Sequence, residues 1–209
     1  MSFAYPIMLD LTRRRAVIVG GGTVAARKAR ALLDAGCGEV IAVAPAFPGE
    51  LPAEVKKMIE AYDARHLEGA FLVFAATDDP SVNKRVVSDA EARGILVGRA
   101  DFDESAPGNF SNPAVYRQGL LVIAISAGGS PTLAAEVRNK LTKKIPAHYA
   151  TMAETMYSVR PVIRNRIPDP EQRRTIFRDL ASPTALAVLD RYGKEAMWEW
   201  LTKKYPMLK

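Results

Sequence analysis

The chain is poor in the residue types that build several common kinds of site. Its 209 residues include one cysteine, Cys37, and two histidines, His66 and His148. One cysteine excludes an internal disulfide and any cysteine-cluster metal site, and two histidines this far apart supply no ligand set. No metal is expected. Cys37 follows the first predicted helix and reads as a small buried filler. His148 opens the C-terminal region and reads, like His66, as structural. No apolar run approaches the roughly 18 residues of a membrane span, and Met1 opens no signal-peptide pattern. The reading is a soluble, cytoplasmic chain without a membrane partner. Internal repeats and low-complexity tracts are also missing.

What is present suits one or two folded domains. At 48% hydrophobic and 25% charged residues, the chain can bury a sizeable core. The net charge of +6 is uneven. Residues 1–112 carry 13 Lys/Arg against 15 Asp/Glu, a net −2, whereas residues 113–209 carry 16 against 8, a net +8. Arg160, Arg164, Arg166, Arg173 and Arg174 form the densest basic group. Charge alone fits a solvated helical face or a surface for a polyanion. The cluster lacks interleaved aromatic residues and any recognition motif, so nucleic acid is not an expected partner.

The richest local pattern is Val17-Ile-Val-Gly20-Gly21-Gly22-Thr23-Val24-Ala25. A short β-branched strand enters a glycine turn that opens a helix. The spacing Gly20-x-Gly22-x-x-Ala25 is the Gly/Ala form of the dinucleotide-binding fingerprint. Gly20 permits the tight turn, Gly22 lets the backbone approach a pyrophosphate, and Ala25 keeps helix and strand close. The unpaired N–H groups at the helix start, around Thr23 and Val24, face the phosphates. An apolar stripe through Val24, Ala25, Lys28, Ala29, Leu32 and Leu33 predicts the helix, and Gly36 stands at its C-terminal cap. The same residues also fit a glycine turn that binds nothing.

The alternation of strand and helix continues. Val40–Val43 is a second strand, and a weak one is predicted near Ile59–Tyr62. Phe71–Ala75 reads as a central parallel strand. Asp79 fits a helix N-cap with Pro80 at the first helical position. Val82, Val86, Val87 and Ala90 give that helix its apolar face, and Ile95–Val97 forms the next strand. This half predicts a doubly wound sheet of about five strands. The polar stretch from Asp101 to Asn112 leaves the carboxyl end of a strand, where ligands of open α/β sheets bind. Leu120–Ser126 is a further strand. Gly128-Gly129-Ser130-Pro131 turns it into a helix with Ser130 as N-cap and Leu133, Val137 and Leu141 as a stripe. That turn reads equally as a second anion cradle or as a plain capped connection. Helices are predicted at Met152–Met156, Glu171–Leu180, Pro183–Tyr192 and Lys194–Lys203, with breaks at Pro161, Pro168 and Pro170. Trp198 and Trp200 predict packing on another element or another subunit.

In order and spacing, these blocks resemble the precorrin-2 dehydrogenase family, the dehydrogenase/ferrochelatase module of siroheme synthase. The resemblance spans about residues 5–146. It rests on Tyr5-Pro6-Ile7-Met8-Leu9-Asp10, Val19–Lys28, Val43-Ala44-Pro45, Leu72–Pro80 with Asn83 and Arg85, and Ile125–Pro131. It implies an α/β fold: a Rossmann-like parallel sheet domain over 1–112, a small α+β dimerisation region over 113–146 and an all-helical region over 147–209. It implies oxidation of precorrin-2, a reduced macrocycle with eight carboxylates, to sirohydrochlorin with NAD, by a homodimer. Some members also insert ferrous iron.

The implied cofactor contacts are Gly20, Gly21, Gly22, Thr23, Val24, Pro45, Ala46, Ala76, Thr77 and Asp78. The implied catalytic residue is Asp101, which could accept the proton that leaves as hydride departs or could orient the ring. By spacing alone, Asp101 also fits a turn or cap. Expected substrate contacts are Arg99, Ser126, Gly128, Gly129 and Ser130, and the arginine cluster supplies partners for carboxylates. Gly98-Arg99 stand where the family usually carries Asn-Val. The second strand ends in Ala44-Pro45-Ala46 without a ribose-reading acid, and no arginine follows at once to hold a 2′-phosphate, which favours NAD. Two alternatives stay open: a bifunctional enzyme that also inserts iron, and a nucleotide-sensing module without chemistry.

Overall fold

A computed structural model describes residues 5–101 and 108–209. Residues 102–107, within the polar stretch expected from Asp101 to Asn112, lie outside the described residues. The chain divides into two compact units, residues 1–112 and 113–209.

The first unit is a five-stranded parallel sheet in the order β3-β2-β1-β4-β5. Its strands are β1 (Arg15–Val19), β2 (Glu39–Ala44), β3 (Lys56–Ile59), β4 (Ala70–Ala75) and β5 (Leu96–Arg99). Helix α1 (Thr23–Asp34) covers one face and α2 (Pro80–Glu91) the other. A central strand covered on both faces must be apolar throughout, and Ala16 to Val19 are all buried. Ile18, Leu72 and Phe74 pack with Ala25, Ala29 and Leu32 of α1. Val17, Val43, Val73 and Val97 pack with Val86, Val87 and Ala90 of α2.

Both helices end where local chemistry stops them. Gly36, at φ 74°, donates to Leu33 O at 2.8 Å while Cys37 N–H donates to Leu32 O at 3.0 Å, a left-handed cap of α1. Asp79 Oδ1 accepts the Ser81 N–H at 2.8 Å and caps α2 ahead of Pro80.

The weak strand expected near Ile59–Tyr62 lies earlier, at Lys56–Ile59. Tyr62 has left the sheet: its ring is buried and its hydroxyl donates to Asp89 of α2 at 2.9 Å. Strand β3 pairs only with β2, and an edge carrying Lys56 and Lys57 has none of the apolar run that marks the interior strands.

The second unit opens with an antiparallel hairpin, β6 (Ala114–Gln118) and β7 (Leu121–Ile125). Strand β6 was not expected from the sequence; its alternating, half-buried residues carry no apolar run. Helix α3 (Pro131–Thr142) starts at the expected Ser130 cap, but it buries Ala134, while Leu133 and Leu141 stay about half exposed, at 53% and 49%. Helices α4 (His148–Arg166), α5 (Pro170–Leu180) and α6 (Pro183–Lys204) enclose a core of Ile163, Ile176, Leu180, Met197, Leu201 and Leu208.

Pro161 does not break α4, contrary to expectation. Proline removes the N–H that would reach the Tyr157 carbonyl, and both residues are exposed, so water can satisfy that oxygen. Pro168 and Pro170 do separate α4 from α5. Gly193, at φ 85°, kinks α6 between the two helices expected there. Trp198 and Trp200 pack on this helical core. Among the described residues, no helix is long and apolar enough to cross a membrane.

Candidate functional site

Parallel strands deliver their carboxyl ends to one edge of the sheet, and the expected cofactor residues gather there. Strand β1 runs into Gly20, whose φ of 134° suits glycine alone. A Cβ on Gly20 would stand 2.2 Å from the Ala76 carbonyl oxygen, and one on Gly21 would stand 2.1 Å from that of Ala46. The turn is wedged between the ends of β4 and β2 by the chain's own backbone. Gly22 is different. Its φ is −86°, open to any residue, and a Cβ there would meet nothing within 4 Å.

Gly22 is also the N-cap of α1, and it supplies no capping side chain. The first turn of α1 contains no acidic residue. The first intrahelical bond is Ala26 N–H to Gly22 O at 3.0 Å, so the N–H groups of Thr23, Val24 and Ala25 precede the ladder. Unpaired donors, a positive dipole end and free space above Gly22 fit a phosphate-bearing ligand.

The segment after β2 doubles back over this turn. Pro45 and Ala46 are exposed, and Gly49 donates its N–H to Gly21 O at 3.0 Å. A Cβ on Gly49 would stand 2.8 Å from Gly22. Sequence reasoning missed Gly49.

At the end of β4, Ala76 is buried and Asp78 exposed. Thr77 is held by Asn83, a buried α2 residue that was noted in sequence without a role. Asn83 Oδ1 accepts the Thr77 N–H at 3.1 Å and lies 2.8 Å from Thr77 Oγ1, while Asn83 Nδ2 donates to Thr77 O at 3.0 Å.

Past the end of β5, Asp101 and Arg99 form a bidentate pair. Arg99 Nε donates to Asp101 Oδ1 at 2.7 Å, and Arg99 Nη2 donates to Oδ2 at 2.8 Å. The guanidinium, and secondarily the Asn83 amide, hold the Asp101 carboxyl below the usual carboxylate range. The Arg99 side chain is 1% exposed. Expected as a contact for substrate carboxylates, it is turned inward onto Asp101.

Lys28 of α1 lies in the same unit, its ammonium 4.7 Å over the Phe74 ring. Burial pulls its pKa down to about 8. Cys37 is partly buried, its thiol against Arg14 O at 3.4 Å, and burial pushes the thiol up. His66 caps a single 3-10 turn, Ala64–Leu67: Nδ1 accepts the Asp63 N–H at 3.0 Å, and Nε2 lies 3.2 Å from Glu60 Oε1.

In the second unit, Ser126, Gly128, Gly129 and Ser130 are exposed. Gly128 and Gly129 have φ of 55° and 83°, and a Cβ on either would meet nothing within 4 Å. Ser130 Oγ accepts the Leu133 N–H at 3.4 Å. His148 Nδ1 lies 3.2 Å from Asp190.

Most of the arginine cluster is engaged inside this unit. Arg160 lies 4.9 Å over the Phe177 ring. Arg166 donates to the carbonyls of Leu208 and Lys209, and Arg173 to those of Ile167 and Pro168. Arg174 pairs with Glu171. Arg166 and Arg173 hold backbone beyond the ends of α6 and α4, Arg160 joins α4 to α5, and Arg174 pairs within α5. No group of three or more His, Cys, Asp or Glu able to hold a metal occurs among the described residues.

The chain is similar to several known proteins. A family model described as "Putative NAD(P)-binding" matches residues 7–114. Siroheme synthase of Chromobacterium violaceum is 40% identical over 203 residues, covering 92% of this chain and 41% of that protein. Siroheme synthase of Pseudomonas putida is 38% identical over 201 residues, covering 91% and 42%. The chain thus spans about two-fifths of the length of these curated relatives. A solved structure titled "SirC, precorrin-2 dehydrogenase" superposes with a TM-score of 0.73 at 25% identity, covering 96% of this chain and all of that one.

Proposed function

We propose, from the premise that this chain belongs to the family of siroheme synthase N-terminal modules and SirC-type precorrin-2 dehydrogenases, that it oxidises precorrin-2 to sirohydrochlorin with NAD. The observation that carries the reading is one sheet edge that combines an open helix N-terminus with a carboxylate fixed as an anion. When bound, NAD supplies the acceptor for a hydride. The balance is precorrin-2 plus NAD⁺ giving sirohydrochlorin, NADH and a proton.

The chain's own groups divide the work. The N–H groups of Thr23, Val24 and Ala25 bind the pyrophosphate, with Gly22 leaving it room and Gly20 and Gly21 fitting the turn between β4 and β2. Pro45 and Ala46 border the adenosine side, where no arginine directly follows β2 to favour a 2′-phosphate. Ala76, Thr77 and Asp78 line the end of β4. Asp101 acts chiefly by charge. A base works best when its pKa lies near the working pH, and the Arg99 pair keeps Asp101 well below that. A fixed anion orients the macrocycle and stabilises the positive charge left on it by hydride loss; the proton then passes to water. The exposed turn Ser126–Ser130 offers backbone N–H groups to a substrate carboxylate. Half-exposed Val115, Leu120, Leu133 and Leu141 support assembly as a homodimer.

The test is anaerobic NADH formation from freshly generated precorrin-2 by the wild-type chain and by Asp101→Asn. The variant is expected to lose roughly 100-fold in kcat while its Kd for NAD stays within about threefold. A wild-type chain that binds NAD and forms no NADH would overturn the reading and favour a sensing module.

A further inference from the structure

Strand β5 lies at the edge of the sheet and pairs with β4 on one side only. Its outward backbone groups need other partners. The chain supplies them by returning along that edge at Gly108–Phe110. Gly108 pairs with Gly98 in an antiparallel bridge. Asn109 takes the place of a neighbouring strand. Its Oδ1 accepts the Val97 N–H at 2.8 Å, its own N–H donates to Val97 O at 2.9 Å, and its Nδ2 donates to Ile95 O at 3.3 Å.

Phe110 completes the contact. Side chains alternate along a strand, so position 98, opposite Phe74, faces the α1 side of the sheet and position 99 faces the other. Position 98 carries no side chain, and the Phe110 ring takes the space: a Cβ on Gly98 would stand 2.7 Å from that ring. The ring meets Phe74 of β4 edge to face, with 5.4 Å between centroids and 71° between planes. On the other side of the sheet, Arg99 ends β5, holds Asp101 by two hydrogen bonds and reaches Pro80 O of α2 at 3.4 Å. Gly98 and Arg99, where the family usually carries Asn-Val, thus serve the two sides of one strand.

We propose that Phe110, seated in the space left by Gly98, is a positioning residue: with Asn109 it fixes the carboxyl end of β5, and through Arg99 it fixes where the Asp101 carboxylate stands. A four-residue edge strand with one neighbour frays first at its end, and Arg99 is that end. The effect on turnover rests on the dehydrogenase reading; the placement of Asp101 does not.

The experiment uses the full chain as wild type, Phe110→Ala, Gly98→Asn, the double variant Gly98→Asn/Phe110→Ala and Asn109→Ala, each first checked for folding by thermal melting. Phe110→Ala and Gly98→Asn should each lower kcat with precorrin-2 by roughly tenfold, within the cost of an ångström-scale misplacement, while the Kd for NAD stays within about threefold. Gly98→Asn acts by expelling the ring, so in the Phe110→Ala background it should change kcat by less than about twofold. Two readouts need no turnover. The carbon-13 titration midpoint of Asp101, held low chiefly by Arg99, should rise by about half a pH unit or more in Phe110→Ala and in Gly98→Asn. Exchange of the Val97 amide should quicken roughly tenfold or more in Asn109→Ala and stay slow in Asn109→Asp, which keeps the acceptor.

A residue that only adds stability would lower the melting temperature and leave the Asp101 midpoint in place. Should Gly98→Asn fail to fold, Gly98→Ala completes the cycle. Multiplicative kinetic losses in the double variant, or an Asp101 midpoint unmoved by Phe110→Ala, would overturn the proposal. A wild-type chain without turnover whose Asp101 midpoint still responds to position 110 would remove the dehydrogenase reading and leave the placement of Asp101 standing.

Discussion

Two glycine turns each lead a strand into a helix, and they are built for different reasons. The turn at Gly20–Gly22 is pressed by backbone: Ala76 and Ala46 carbonyls occupy the places where Cβ atoms of Gly20 and Gly21 would go. The turn at Gly128–Gly129 has open space around it, and its glycines answer only to positive φ. The helix after the first turn starts uncapped, whereas the helix after the second starts with the Ser130 hydroxyl already accepting the Leu133 N–H. Both turns are rich in glycine, three residues in the first and two in the second. What separates them is whether the helix end is left with donors to offer, and only the first turn pairs such an end with a clear space at Gly22.

The comparison is broken most violently at Gly20. Gly20→Ala must relieve a 2.2 Å overlap with backbone and adopt a φ of 134°, so unfolding by urea should show a loss of about 3–5 kcal/mol, enough to unfold a marginal domain. A loss under about 1 kcal/mol would mean that the turn is not wedged. Gly22→Val sharpens the contrast inside the same turn. With no neighbour within 4 Å, it should leave stability within about 0.5 kcal/mol while raising the Kd for NAD roughly tenfold or more by calorimetry. Gly128→Ala is the mildest. Its φ of 55° costs a side chain about 1–2 kcal/mol, and the Kd for NAD should stay within about twofold.

The first turn was legible because its constraints are local: a strand, a close backbone approach and a helix start each demand a residue type at fixed spacing. The caps of α2 and α3, Asp79 and Ser130, were legible for the same reason. Strand β3 was misplaced because Lys56 and Lys57 on a sheet edge carry no apolar run, and β6 was missed because half-buried alternation is a faint signal over five residues. Helix α4 was cut at Pro161 because the solvent that satisfies an orphaned carbonyl leaves no mark in sequence. Asn83 and Gly49 matter through partners brought near by the fold, so neither spacing nor residue type announced them. The intramolecular partners of the arginine cluster were not legible either. Its members are close in sequence, yet four of the five spread onto a ring, two pairs of carbonyls and a glutamate.

Two units of opposite charge balance thus use their polar groups differently. In the first unit, polar side chains gather at the sheet edge, where Asn83 holds Thr77 and Arg99 holds Asp101. In the second, Arg166 and Arg173 hold backbone carbonyls beyond the ends of α6 and α4. The most direct test of the account is an anaerobic progress curve with precorrin-2 and NAD, recorded for the wild-type chain and for Gly22→Val. The account predicts one NADH for each precorrin-2 consumed by the wild type and, with NAD near the wild-type Kd, formation roughly fivefold or more slower by the variant. A wild-type chain that binds NAD without oxidising precorrin-2, or a Gly22→Val chain that oxidises it at the wild-type rate, would contradict it.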